Sequence, residues 1–114
     1  MTSHSFTRSD RISAELRRLL GGMVHEAVRD HALPSVSVSD VEVTKDFDMA
    51  TVFVTALVPD TAKDTVKTLN EMAKEFRHEL SQVMRMRRVP ELRFRYDDSV
   101  DRGERIEALL RGKT

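Results

Sequence analysis

The sequence predicts an α+β domain of two layers, with helices packed on one face of a small sheet. Three observations predict it. Stretches with apolar residues three and four apart alternate with stretches in which every second residue is apolar, and Pro34, Pro59 and Pro90 fall between them as punctuation. The 114 residues make one domain's worth, without a repeat or a proline-rich linker, so a single domain over 1–114 is expected. The composition, 39% hydrophobic and 33% charged, is that of a globular chain, and the absence of cysteine removes disulfides, thiolate metal sites and thiol nucleophiles.

Each element follows from its own pattern. Ile12, Leu16, Leu19, Leu20, Met23, Val24, Ala27 and Val28 form one stripe of a helix from about Arg8 to Arg29, capped by Thr7 or Ser9. Gly21-Gly22 inside it costs about 2 kcal/mol relative to two alanines, so close packing against the sheet is expected there. Val36, Val38, Val41 and Val43 alternate with polar residues and change phase at Ser39-Asp40, which predicts a strand with a bulge. After the turn cluster Asp46-Phe47-Asp48, a second strand over Ala50 to Val58 closes an antiparallel hairpin. Thr61 and Asp64 have the spacing of a capping box. Val66, Leu69, Ala73, Phe76, Leu80 and Val83 then run at helical spacing to about Arg87. A straight helix of that length, about 39 Å, overhangs a three-stranded sheet, so a break is expected in the polar stretch Asn70 to Glu75. Leu92, Phe94 and Tyr96, with Arg93 and Arg95 on the opposite face, make the third strand. Ile106, Leu109 and Leu110 suit a short C-terminal helix, and residues 1–7 and 112–114 are expected to be mobile ends. Phe53, Phe76 and Phe94 are assigned to core faces, which leaves no aromatic platform for stacked bases.

Enzyme chemistry finds little support. The histidines His4, His25, His31 and His78 never pair at helical metal-site spacing, and Glu75-x-x-His78 is a lone half of a di-iron pattern. Asp97-Asp98-Ser99-Val100-Asp101 reads as a solvated turn, and there is neither a Gly-x-Ser-x-Gly elbow nor a glycine-rich phosphate loop. No metal, no cofactor and no catalytic residue is expected. No apolar run approaches the roughly 18 residues a membrane helix needs, and the N-terminus lacks a secretory pattern, so a cytoplasmic location without membrane contact is expected.

Charge is the informative feature. Lys plus Arg equals Asp plus Glu at 19 each, but the charges are sorted. Asp30 to Asp64 carries seven acidic and two basic residues, whereas Lys74 to Arg95 carries seven basic and three acidic ones. The basic set is Lys74, Arg77, Arg85, Arg87, Arg88, Arg93 and Arg95. Arginine's planar fork binds phosphate through two parallel hydrogen bonds, so this corner is the candidate RNA-binding surface. The alternative is a solvated face that pairs with the acidic segment, or a protein-interaction or oligomerisation module using this corner or the hairpin edge.

The same residues resemble a family. Arg77, then Met84-Arg85, Arg87-x-Val89-Pro90-Glu91-Leu92-x-Phe94, Asp97 and Ser99, with Val41-Glu42-Val43-Thr44-Lys45-Asp46-Phe47 and Ala50, Val52 and Val54 further back, are similar to ribosome-binding factor A, and the likeness covers nearly the whole chain. The resemblance implies a type II KH-like domain of order α-β-β-α-kink-α-β, with the bend at Met72-Ala73-Lys74, where the family carries Ala-x-Gly. It also implies an assembly factor that binds the small (30S) ribosomal subunit and its 16S rRNA during late maturation, including 5′-end processing, with a role in growth at low temperature. The partners expected with it are the subunit, its rRNA and a ribosome-assembly GTPase, and a monomer is expected. The missing Gly-x-x-Gly loop favours docking on folded RNA over a grip on a single strand.

Overall fold

In the computed structural model, which describes residues 7–99, Thr7 opens the first helix. Its hydroxyl accepts from the Asp10 N–H at 3.1 Å, and the Asp10 carboxylate accepts from the Thr7 N–H at the same distance, a complete capping box. Helix α1 (Arg8–Asp30) then runs unbroken through Gly21-Gly22 and buries Leu16, Leu20, Val24 and Ala27. The expected close packing at the glycines is absent: a Cβ at either position meets nothing within 4 Å. The pair lies toward the open side of the stripe, so neither glycine serves an approach to the sheet.

Strands β1 (Val36–Val43) and β2 (Met49–Ala56) pair antiparallel, with a bulge between Val38 and Asp40. The extra residue shifts the phase so that Val36 before it and Val41 after it both enter the core. Strand β2 stops at Ala56, earlier than expected. Leu57 still donates its N–H to the Ser35 carbonyl, but Leu57 and Val58 project into solvent at 80% and 52% exposure. Pro59–Thr61 forms one 3-10 turn. Thr61 is therefore already helical and does not cap; its hydroxyl turns back to donate to the Val58 carbonyl at 2.7 Å, which replaces the predicted capping box.

Two helices follow, α2 (Ala62–Glu71) and α3 (Ala73–Val83), separated at Met72. The break falls at the first residue of the predicted bend, and Ala73 and Lys74 begin α3. Met72 sits at φ −92°, ψ 1°, and its N–H is shared between the Thr68 and Leu69 carbonyls, both at 3.1 Å. That conformation admits a side chain, so the bend forms without glycine. Helix α3 ends at Val83, short of the expected Arg87, because Met84 turns extended and buries its side chain.

Strand β3 (Glu91–Tyr96) returns parallel to β2, giving the order β1-β2-β3. A single core joins the α1 stripe, Leu69, Phe76 and Leu80 to Ala50, Val52, Val54, Leu92 and Phe94, with the Phe76 and Phe94 rings 5.6 Å apart at 57°. The helices occupy one sheet face. On the other lie Thr51 and Phe53, paired in register with Arg93 and Arg95. Phe53 is thus a half-buried residue of the open face and not a core residue, since Val52 and Val54 take the inward positions of β2. The predicted C-terminal helix with Ile106, Leu109 and Leu110 lies outside the described residues, as do the predicted mobile ends 1–7 and 112–114 apart from Thr7, which caps α1.

Candidate RNA-binding surface

The basic residues are presented by a pinned loop and by the open face of β3. Met84 and Val89 are each 7% exposed and Pro90 is fully buried, so residues 84–90 are anchored at both ends. Between the anchors Arg85, Arg87 and Arg88 are exposed, and Met86 is half-buried against the core. A loop held this way displays its arginines with little ordering cost on binding.

Arg77 does different work. Its half-buried guanidinium donates from Nε and Nη2 to the Val89 carbonyl at 3.0 and 2.9 Å. It ties α3 to the far end of the loop and so positions Arg87 and Arg88. Lys74, Arg77 and Arg87 line one cleft of about 420 Å³ with His78, Ser81, Met86 and Val89. Arg85 faces a second depression that it shares with Arg8, Ile12 and Glu15 of α1. Arg93 and Arg95 stand on the open sheet face. The structure brings Lys74, Arg77 and Arg87 together in one cleft and sets Arg85 in a separate depression and Arg93 and Arg95 on the open sheet face, so the seven predicted residues do not lie in a single plane.

The hairpin turn completes the corner from below. The Asp46 carboxylate accepts from the Thr44 hydroxyl at 2.7 Å and from the Asp48 N–H at 3.1 Å, which holds its pKa below the usual carboxylate range. Phe47 takes a left-handed conformation, φ 60°, with the Arg8 guanidinium 5.3 Å from its ring centre. Asp48 accepts the Glu91 N–H at its carbonyl, 2.9 Å, and approaches Arg88 with its carboxylate at 3.5 Å. Among the described residues this is the one ion pair joining the acidic and basic segments. Both partners are more than half exposed, so it is weak and leaves Arg88 reachable.

Sequence reasoning missed Arg8, because only folding brings the start of α1 beside the loop. It also missed Asn70, whose amide accepts from the Phe94 N–H at 2.8 Å and donates to the Phe94 carbonyl at 3.0 Å. Asn70 thereby covers part of the free edge of β3 as a strand would. Among the described residues no cluster of three or more His, Asp or Glu could hold a metal ion, and no helix is long and apolar enough to cross a membrane.

A helix, a hairpin, a bent helix pair and a parallel return strand define an α+β domain of KH-like type, with a pinned basic loop at its surface. The family model for ribosome-binding factor A matches residues 8–110. The chain belongs to the ribosome-binding factor A family. It is 59% identical over 111 residues to ribosome-binding factor A of Xanthomonas euvesicatoria, covering 97% of this chain and 85% of that protein. The Stenotrophomonas maltophilia protein of the same name is 57% identical, covering 94% and 84%. The crystal structure of ribosome-binding factor A from Thermus thermophilus superposes with a TM-score of 0.68 at 26% identity, over 79% of this chain and 97% of that one. A Thermus thermophilus homology model of the factor, fitted into a cryo-EM map of its complex with the 30S subunit, matches at a TM-score of 0.59 and 25% identity, over 75% and 91%.

Proposed function

We propose that this chain is a non-enzymatic assembly factor that docks as a monomer on the small ribosomal subunit through folded 16S rRNA. Its place is late maturation, including 5′-end processing, where it supports growth at low temperature and is released by an assembly GTPase. The observation that carries the docking step is the pinned loop with Arg85, Arg87 and Arg88 exposed, beside Arg93 and Arg95 on the open sheet face. Rigid guanidinium groups on adjoining surfaces suit the phosphates of a folded RNA, whose shape and backbone are read in preference to its bases. Lys74 extends the contact, and Arg77 acts mainly by holding the loop. The maturation stage and the cold role rest on family membership. The 30S complex reported for the Thermus thermophilus factor supports the choice of subunit.

The test is co-sedimentation with small subunits in a salt series. Four phosphate contacts give log affinity against log salt a slope of about −3 to −4. Replacing Arg85, Arg87, Arg88 and Arg93 together by glutamate abolishes pelleting and leaves the thermal melt nearly unchanged, since all four side chains are exposed. A mutant that still pellets at low salt, or wild-type binding insensitive to salt, moves the rRNA contact elsewhere. A shallow slope with binding lost in the mutant favours a protein partner for the same corner.

A further inference from the structure

We infer that the groove between the C-terminal half of α1 and the N-terminal half of α3 seats a basic amphipathic helix of a protein partner. The groove encloses about 580 Å³ beside the Met72 bend. Its floor is apolar: Ala27 and Phe76 are buried, and Met23 and Met72 are half-buried. Two flexible thioethers in the floor let it mould to an incoming apolar side chain.

The rim supplies the charge that selects the occupant. Glu26 and Asp30 of α1 line it, as do Glu75 and Glu79 of α3, all exposed. Each pair is four residues apart, so each helix carries two carboxylates about 6 Å apart along its axis. Lys74 is the one lysine or arginine in the lining, against those four carboxylates. Arg29 touches Asp30 at 3.6 Å from outside the groove and leaves the other three carboxylates without a cation among the described ion pairs. An apolar floor between two acidic rows matches a helix with an apolar stripe flanked by lysine or arginine. The same charge repels phosphate. Phosphate is therefore kept out of the groove, whose edge Lys74 shares with the cleft of Arg77 and Arg87, and the molecule offers chemically opposite surfaces to nucleic acid and to protein. This goes beyond the rRNA reading and does not depend on it.

The experiment titrates the isotope-labelled full chain with a lysine-rich helical peptide of about 15 residues bearing leucines on one face. Amide shifts are expected to cluster at Met23–Asp30 and Met72–Glu79. A scrambled peptide of equal charge without the leucine stripe binds at least about tenfold more weakly, as does the intact peptide to the Glu26→Lys, Glu79→Lys double variant. Both substitutions are exposed and leave the fold intact, and the variant still pellets with small subunits if rRNA docks at the arginine corner. Three results overturn the inference: equal binding of the scrambled peptide, undiminished affinity of the double variant, or shifts centred on another acidic surface such as Asp60 and Asp64. An RNA hairpin that shifts the same amides as strongly as the peptide also overturns it.

Discussion

Asn70→Ala tests whether the bend region holds the sheet as well as the helices. The wild-type side chain makes two hydrogen bonds to Phe94, 2.8 Å to its N–H and 3.0 Å from its carbonyl, at a partly buried edge. Removing them costs about 1 kcal/mol each where water replaces the amide, and up to about 2 kcal/mol each where the backbone groups stay dry. Alanine returns a few tenths of a kcal/mol through its higher helix propensity in the last turn of α2. The net loss is about 2–3 kcal/mol, a large share of the roughly 5–15 kcal/mol that holds a domain together. For a domain of this size it lowers Tm by roughly 10–20 °C. Urea unfolding followed by circular dichroism gives the energy, and hydrogen exchange at the Phe94 amide gives the location. Asn70→Asp keeps the acceptor for Phe94 N–H but loses the donor, so it retains more Phe94 protection than alanine does. A change below about 0.5 kcal/mol, or Phe94 exchange identical to wild type, refutes the claim that Asn70 substitutes for a neighbouring strand.

Gly21→Ala with Gly22→Ala is expected to stabilise the chain by about 1–2 kcal/mol in the same unfolding assay, since open space surrounds both positions and alanine restricts the unfolded chain. Arg77→Ala is expected to destabilise by about 1–3 kcal/mol through the lost fork on the Val89 carbonyl, whereas Arg87→Ala stays within about 0.5 kcal/mol because its side chain is exposed.

The parts of the fold legible in the sequence are those set by local periodicity. The α1 stripe, the alternation of both hairpin strands and the phase change at Ser39 each follow from residues within one element, and the structure follows them closely. Boundaries set by contacts between distant residues were not legible. Helix α3 ends at Val83 because Met84 and Val89 are drawn into a core built by other segments, while the helical pattern of the sequence runs on. Thr61 has the spacing of a cap, but Pro59 starts the turn two residues earlier and places Thr61 inside it. Phe53 looks like core by residue type. The stronger constraint is strand alternation, which gives the inward positions to Val52 and Val54.

The candidate surface divides along the same line. Counting arginines locates the corner but assigns every guanidinium the same role, because charge density in a sequence carries no information about which side chain the backbone recruits. Arg77 and Arg87 both line the cleft beside α3, yet Arg77 is spent on the Val89 carbonyl while Arg87 is exposed. The distinction matters for any charge-reversal experiment. Substituting Arg77 removes the side-chain tie at the Val89 end of the loop that presents Arg85, Arg87 and Arg88, so a loss of RNA binding there does not by itself report a missing phosphate contact. The quadruple substitution therefore leaves Arg77 in place. An Arg77→Ala chain that loses binding together with stability, and Arg87→Ala that loses binding alone, separate the residue that holds the surface from those that use it.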